Sequence, residues 1–102
     1  MDLETFADWV DTIGLRPSLT AAPEKHLAYL ALGLAGEAGE AAEVIKKHLR
    51  DGPLDRDKLR HELGDMLFFW AGLCRRLDID ITDVMTESKA RIDGKIAKAK
   101  FS

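Results

Sequence analysis

Glu37 and Glu40 stand three residues apart, and Glu62 and Asp65 repeat that spacing after 21 intervening residues. On a helix, residues i and i+3 share a face. Each acidic pair lies on the flank of an apolar stripe, the first beside Leu34 and Ala41, the second beside Met66 and Phe69. If the two stripes face each other, four carboxylates converge at one edge of the core. Such groups repel one another, and burying them unpaired is costly, so a cation must sit among them. Carboxylate oxygens are natural ligands of hard divalent ions. No Glu is followed three residues later by His, which removes the Glu-x-x-His pattern of di-iron bundles. The all-oxygen set favours Mg²⁺, with Mn²⁺ as substitute, over iron or zinc.

Helices are what must position these groups. Leu3, Phe6, Val10 and Ile13 recur at helical spacing with Trp9 beside them. A break follows from Gly14 to Pro23. Pro23 is a good first helical residue. From there Leu27, Leu30, Leu34, Ala38, Ala41, Ile45 and Leu49 form one stripe that stops before Gly52-Pro53. Asp55 can cap a third helix, whose apolar face includes Leu59, Leu63, Met66, Leu67, Trp70, Cys74 and Leu77. After the hinge Asp78-Ile79-Asp80, a fourth helix capped by Asp80 or Thr82 runs towards Phe101, weakening after Gly94. The expected fold is all-α and four-helix bundle-like, with helices two and three as the long central pair. Gly33, Gly36 and Gly39 recur within the second helix, and Gly64 and Gly72 lie in the third. Each costs about 0.8–1 kcal/mol there relative to Ala. Close helix packing, room for a ligand, or both would offset that cost.

Composition narrows the partners. The 102 residues suit a single domain over 1–102, with hydrophobic residues at 46% and charged residues at 32%. A net charge of −3 argues against binding a nucleic-acid polymer. The lone Cys74 allows neither an internal disulfide nor a cysteine zinc site, and a reducing cytoplasm suits it. Asp2 and Glu4 open the chain without a basic leader, so no signal peptide is expected. No apolar run is long enough to predict a membrane span. No Gly-x-x-x-x-Gly-Lys-Ser/Thr loop occurs, which excludes P-loop chemistry. His61 adjoins Glu62 but points about 100° away from it, so it is not taken as a ligand.

Gly33-Leu34-Ala35-Gly36-Glu37-Ala38-Gly39-Glu40, continued through Lys46-Lys47 and followed by Glu62-Leu63-Gly64-Asp65, resembles the MazG-like branch of the all-α nucleoside triphosphate pyrophosphohydrolases. The likeness runs from about Phe6 to about Lys89. It implies Mg²⁺-dependent cleavage of a nucleoside triphosphate between the α and β phosphates, giving a monophosphate and pyrophosphate. Glu37, Glu40, Glu62 and Asp65 match the family's metal-binding carboxylates. Glu37 or Glu40 is the candidate to orient or deprotonate the attacking water. Lys89 stands where the family places a phosphate-holding lysine, with Arg91 behind it, and Lys46 and Lys47 follow the first motif. After Lys89 the chain departs from its relatives, carrying Asp93, Gly94 and Lys95 where they often have an asparagine and an arginine. Gly36 replaces the extra glutamate of the dimeric dUTPase-like branch. A base needs a flat contact, and Phe69, Trp9 and His26 are the candidates. Cys74 and Trp70 read as core.

The resemblance also implies a homodimer or homotetramer, with the pocket completed by a second chain. Leu32 and Phe68, apolar beyond the main stripes, agree with that. House-cleaning and control of nucleotide pools both fit. Two alternatives remain open: hydrolysis of another phosphorylated nucleotide such as an alarmone, and a non-catalytic helical interaction module. The intact carboxylate set speaks against the second.

Overall fold

A computed structural model describes residues 1–13 and 22–101. The break expected between Gly14 and Pro23 lies largely outside the described residues. Four helices follow one another: α1 Leu3–Thr12, α2 Pro23–Asp51, α3 Arg56–Arg76 and α4 Ile81–Phe101. Among the described residues there is no strand. The architecture is all-α, with α2 and α3 as its central antiparallel pair and α1 packed on α3.

The helix ends follow from local chemistry. Asp2 accepts a hydrogen bond from the Thr5 N–H at 2.7 Å and caps α1. Pro23 opens α2, and Gly52 closes it with φ 121°, a conformation glycine adopts without strain. Asp55 accepts from the Lys58 N–H at 3.0 Å and caps α3. Of the two caps offered for α4, Asp80 is the one used, accepting from the Asp83 N–H at 3.0 Å. Gly94 does not break α4, which runs on to Phe101. Ile13, placed on the first helical stripe by its spacing, is instead the residue that ends α1 and is exposed.

A small core gathers Ala7 and Val10 of α1, Ala71 and Cys74 of α3, and Ile81 of α4, with Leu3, Phe6, Phe68 and Trp70 against it. A polar clasp ties the same three helices together. Arg75 of α3 donates to Glu4 Oε2 at 2.7 Å and pairs with Asp8 Oδ1 at 3.0 Å, while Thr82 of α4 donates to Glu4 Oε1 at 3.0 Å. The Arg75 guanidinium, followed by the Thr82 hydroxyl, holds the Glu4 carboxyl below its ordinary value. Cys74 is buried and its thiol is pushed up by desolvation, as befits an inert core residue.

The seam between α2 and α3 follows the α2 stripe read from the sequence only in part: Leu30 is buried and Leu27, Leu34, Ala38 and Ala41 are half-buried, while its far end turns outward. Ile45, Leu49, Leu63, Leu67 and Leu77 are exposed, Leu49 at 80%. The buried positions of α2 are Leu30 and Val44. The meeting line on α2 runs through Leu30, Gly33, Glu37 and Val44. At about 100° per residue these four fall within an arc of about 60°, turned away from Leu49. Gly33 and Gly72 serve this seam. A Cβ on Gly33 would stand 2.6 Å from Phe69 Cζ, and one on Gly72 would stand 3.1 Å from Leu30 Cδ2. Gly36, Gly39 and Gly64 have open space where a Cβ would point.

Beyond Ile81, α4 leaves the core, and residues 89–100 are exposed throughout. The radius of gyration is 16.8 Å, against about 13 Å for a compact chain of 100 residues. Among the described residues no helix is long and apolar enough to cross a membrane.

Candidate metal centre

The seam brings Glu37, Glu40 and Glu62 together. One oxygen from each lies within 4.8 Å of the others. Glu37 and Glu62 sit in the seam itself rather than on its flank. Glu62 is 5% exposed, Glu37 is half-buried and Glu40 is exposed, so the group is open on one side only. Gly36 and Gly39, with nothing over them, border that opening.

Glu62 is the electrostatic focus. The Glu37 carboxylate beside it and its own burial push its carboxyl above the usual range, against a smaller opposing effect of Glu40. Glu37 Oε2 and Glu62 Oε2 are both buried without a hydrogen-bond partner among the described residues. Orphaned buried oxygens are costly, and two on neighbouring acids are relieved by a shared proton or by a cation. A hard divalent cation satisfies both and relieves their repulsion. The donor set therefore fits Mg²⁺ or Mn²⁺, and Glu37, Glu40 and Glu62 are the residues that would hold it.

Asp65 is not part of the three-carboxylate group. It lies one turn on from Glu62, and its Oδ2 stands 3.2 Å from His61 Nε2. The i, i+4 relation of His61 to Asp65 was the signal that finds this pair.

The remaining predicted site residues are distributed around the seam. Phe69 is half-buried, with its ring edge on Gly33 and edge-to-face contacts to Tyr29 and Phe68 at 6.0 and 5.5 Å. It acts as a wedge between α2 and α3 one to two turns from the carboxylates. Trp9 is half-exposed on α1, with its ring against Phe6 and Phe68. His26 lines a cleft with Asp11, Leu30 and Arg76 at the far end of the seam. Lys46 pairs with Glu43 at 3.8 Å, and Lys47 lines a cleft at the hairpin end. Lys89 is bound to Asp93 Oδ2 at 2.6 Å on the exposed part of α4, where Arg91 also lies. Among the described residues no hydrogen bond or ion pair joins Lys89 or Arg91 to the carboxylates.

The MazG nucleotide pyrophosphohydrolase domain matches residues 25–95, which take in all of the α2–α3 seam described above. The Gene 37 protein of Mycobacterium phage L5 is 38% identical over 74 residues, covering 68% of this chain. The chain spans 65% of that relative's length. No solved structure matches significantly. Two helices that carry Glu-x-x-Glu and Glu-x-x-Asp, and whose glutamates meet within a stretch spanned by that domain, make this chain a member of the MazG nucleotide pyrophosphohydrolase family.

Proposed function

We propose that this chain is a Mg²⁺-dependent nucleoside triphosphate pyrophosphohydrolase that converts a (d)NTP and water to the (d)NMP and pyrophosphate. The observation that carries the reading is the carboxylate trio with its two orphaned buried oxygens. A bound Mg²⁺ supplies the positive charge that lets a triphosphate approach three carboxylates and that stabilises charge developing on the phosphates. Glu37 and Glu62, fixed in the seam, would hold the ion together with Glu40. Glu40, the exposed member, orients the attacking water and accepts its proton. Asp65 completes the set from the next turn, with His61 fixing its orientation. The bond broken joins the α and β phosphates, and the two fragments leave as monophosphate and pyrophosphate.

Lys89 and Arg91 project from a helix that leaves the core, so their service to phosphates calls for a second copy of the chain. A homodimer or homotetramer, with residues 1–102 as one catalytic domain in each protomer, supports that arrangement. The exposed apolar stripe of α2 and α3 gives it a surface to bury. Phe69, Trp9 and His26 remain the candidates for gripping the base. A cytoplasmic house-cleaning role accords with this chemistry.

The test is product analysis with Mg²⁺ and each common NTP and dNTP. Monophosphate plus pyrophosphate, lost on chelation, is the expected result. Diphosphate plus phosphate would keep the metal site and overturn the bond assigned. No turnover with folded protein, Mn²⁺ also tried, would favour an alarmone-like substrate or a non-catalytic module. Glu40→Gln and Asp65→Asn should each abolish turnover with helical content intact; near-normal turnover in both would remove these carboxylates from the chemistry.

A further inference from the structure

At the end of the seam away from the hairpin, α1 joins α2 and α3. Val10, Leu30 and Gly72 meet there: a Cβ on Gly72 would stand 3.1 Å from Leu30 Cδ2 and 3.6 Å from Val10 Cγ1. Against this buried floor lies a cleft of about 360 Å³, to which Phe68 and His26 also contribute and at whose rim stand Asp11 and Arg76. An apolar floor with a few convergent polar groups is the pattern of a small-molecule pocket. The charges at the rim are unspent. Arg75, the neighbour of Arg76 on α3, is committed to Glu4 at 2.7 Å and to Asp8 at 3.0 Å. The side chains of Asp11 and Arg76 enter no hydrogen bond or ion pair among the described residues, not even with each other.

Register puts this cleft in line with the carboxylates. Glu37 stands seven residues after Leu30 on α2, and Asp65 stands seven residues before Gly72 on α3. Seven residues are two helical turns, so each acid keeps its partner's side of the helix to within about 20° and lies about 10 Å along the axis. The helices are antiparallel, so both displacements run the same way. A sugar and its first phosphate bridge a gap of that order.

We infer that the cleft takes the base of the nucleotide, and that Asp11 and Arg76 select guanine. That the occupant is a nucleotide rests on the pyrophosphohydrolase reading; the choice of base rests on the chemistry of the rim. Guanine carries two donors side by side, N1–H and the 2-amino group, and a carboxylate offers two oxygens to accept them. Its O6 and N7 accept the two-pronged donation of an arginine. Cytosine brings only its amino group to Asp11. Adenine sets a ring nitrogen lone pair beside its amino group, and uracil and thymine flank N3–H with two carbonyl oxygens, so a carboxylate is repelled by all three. The Phe68 ring supplies a flat contact. Asp11 and Arg76 are specificity-determining residues on α1 and α3 that no motif identifies.

The experiment is calorimetric titration of the full chain, in Mg²⁺, with the monophosphates of guanosine, inosine, xanthosine, cytidine, adenosine and uridine, alongside turnover of the corresponding triphosphates. The guanosine nucleotide should bind about tenfold or more tightly than those of adenosine and uridine, and inosine, which lacks the 2-amino group, should lose about tenfold, as loss of a charge-assisted hydrogen bond implies. Asp11→Asn turns one acceptor into a donor, so it should weaken guanosine and favour xanthosine, which has a carbonyl at that position. Arg76→Lys keeps the charge and loses the fork, and should flatten the preference. Asp57→Asn, the same change as at Asp11 but at the far end of α3, should leave the order of bases untouched. A wild-type protein that binds none of these nucleotides or all of them alike, or an Asp11→Asn variant with the wild-type order, overturns the assignment. Base-ordered binding in a protein that cleaves no triphosphate keeps the guanine site and removes the enzymatic reading; turnover blind to the base keeps the enzymatic reading and removes the site.

Discussion

Gly33→Ala puts the seam to a quantitative test. On helix propensity alone the change stabilises by about 0.8–1 kcal/mol. The structure opposes that gain. The added methyl would stand 2.5 Å from Phe69 Cδ1 and 2.6 Å from Cζ, so ring or helix must move. Overpacking of this kind costs about 1–3 kcal/mol. The net expectation is a loss of about 0–2 kcal/mol, at about 4–8 °C of Tm per kcal/mol for a chain this size. A double-mutant cycle isolates the clash. In a Phe69→Leu background the ring is gone, and Gly33→Ala should turn stabilising by its propensity gain. The coupling of about 1–3 kcal/mol is read from urea unfolding at one protein concentration, because association would shift apparent stability. Glu37 lies one turn beyond Gly33, so a widened seam should also lower kcat/KM. A stabilised single variant, or strict additivity in the cycle, would refute the close approach of α2 to α3 and with it the placement of Glu37 against Glu62.

Metal binding should register as stability: Mg²⁺ at about a hundred times its Kd should stabilise the protein by about 2.7 kcal/mol, and Glu37→Gln/Glu62→Gln should lose that increment while remaining helical; an undiminished increment would place the ion elsewhere. The Glu4 clasp should set part of the acid sensitivity. Its carboxyl is held below about 4.5 in the folded chain, so its contribution is complete above that pH and disappears as pH falls through the lower folded value. The stability gap between wild type and Glu4→Gln should therefore be constant above about pH 5 and close in acid, and a gap independent of pH would dismiss the ionic clasp. Leu63→Glu and Leu49→Glu should shift sedimentation towards the monomer, and unaltered association would move the interface off this stripe.

Helix number, two of the caps and the hairpin were legible because they depend on near neighbours: Asp55 and Asp80 before helical runs, Pro23 inside one start and Gly52 past one end. The carboxylate pairs were legible for the same reason, since i, i+3 spacing fixes a shared face. What could not be read was the rotation of each helix about its axis. Leucine and alanine positions at steps of three and four suggested a seam from Leu27 through Leu30, Leu34, Ala38 and Ala41 to Ile45 and Leu49; Leu30 is buried in it, but Gly33, Glu37 and Val44 are drawn in as well and Ile45 and Leu49 are left out. A helix with apolar residues on one side and glycines and acids on another offers two faces, and only the partner decides which is used. Here α3 meets α2 along the edge where the apolar stripe borders Gly33 and Glu37, because Phe69 needs the space at Gly33 and Leu30 the space at Gly72. The same choice leaves Ile45, Leu49, Leu63 and Leu67 on the surface, and sends α4 out with Met85, Ile92 and Ile96 about half exposed. A 21-residue helix holds poorly in water without a packed face. The seam that builds the carboxylate site and the exposed leucines are thus two consequences of one rotation, and a partner that covered those leucines would stabilise the rotation that aligns Glu37 with Glu62.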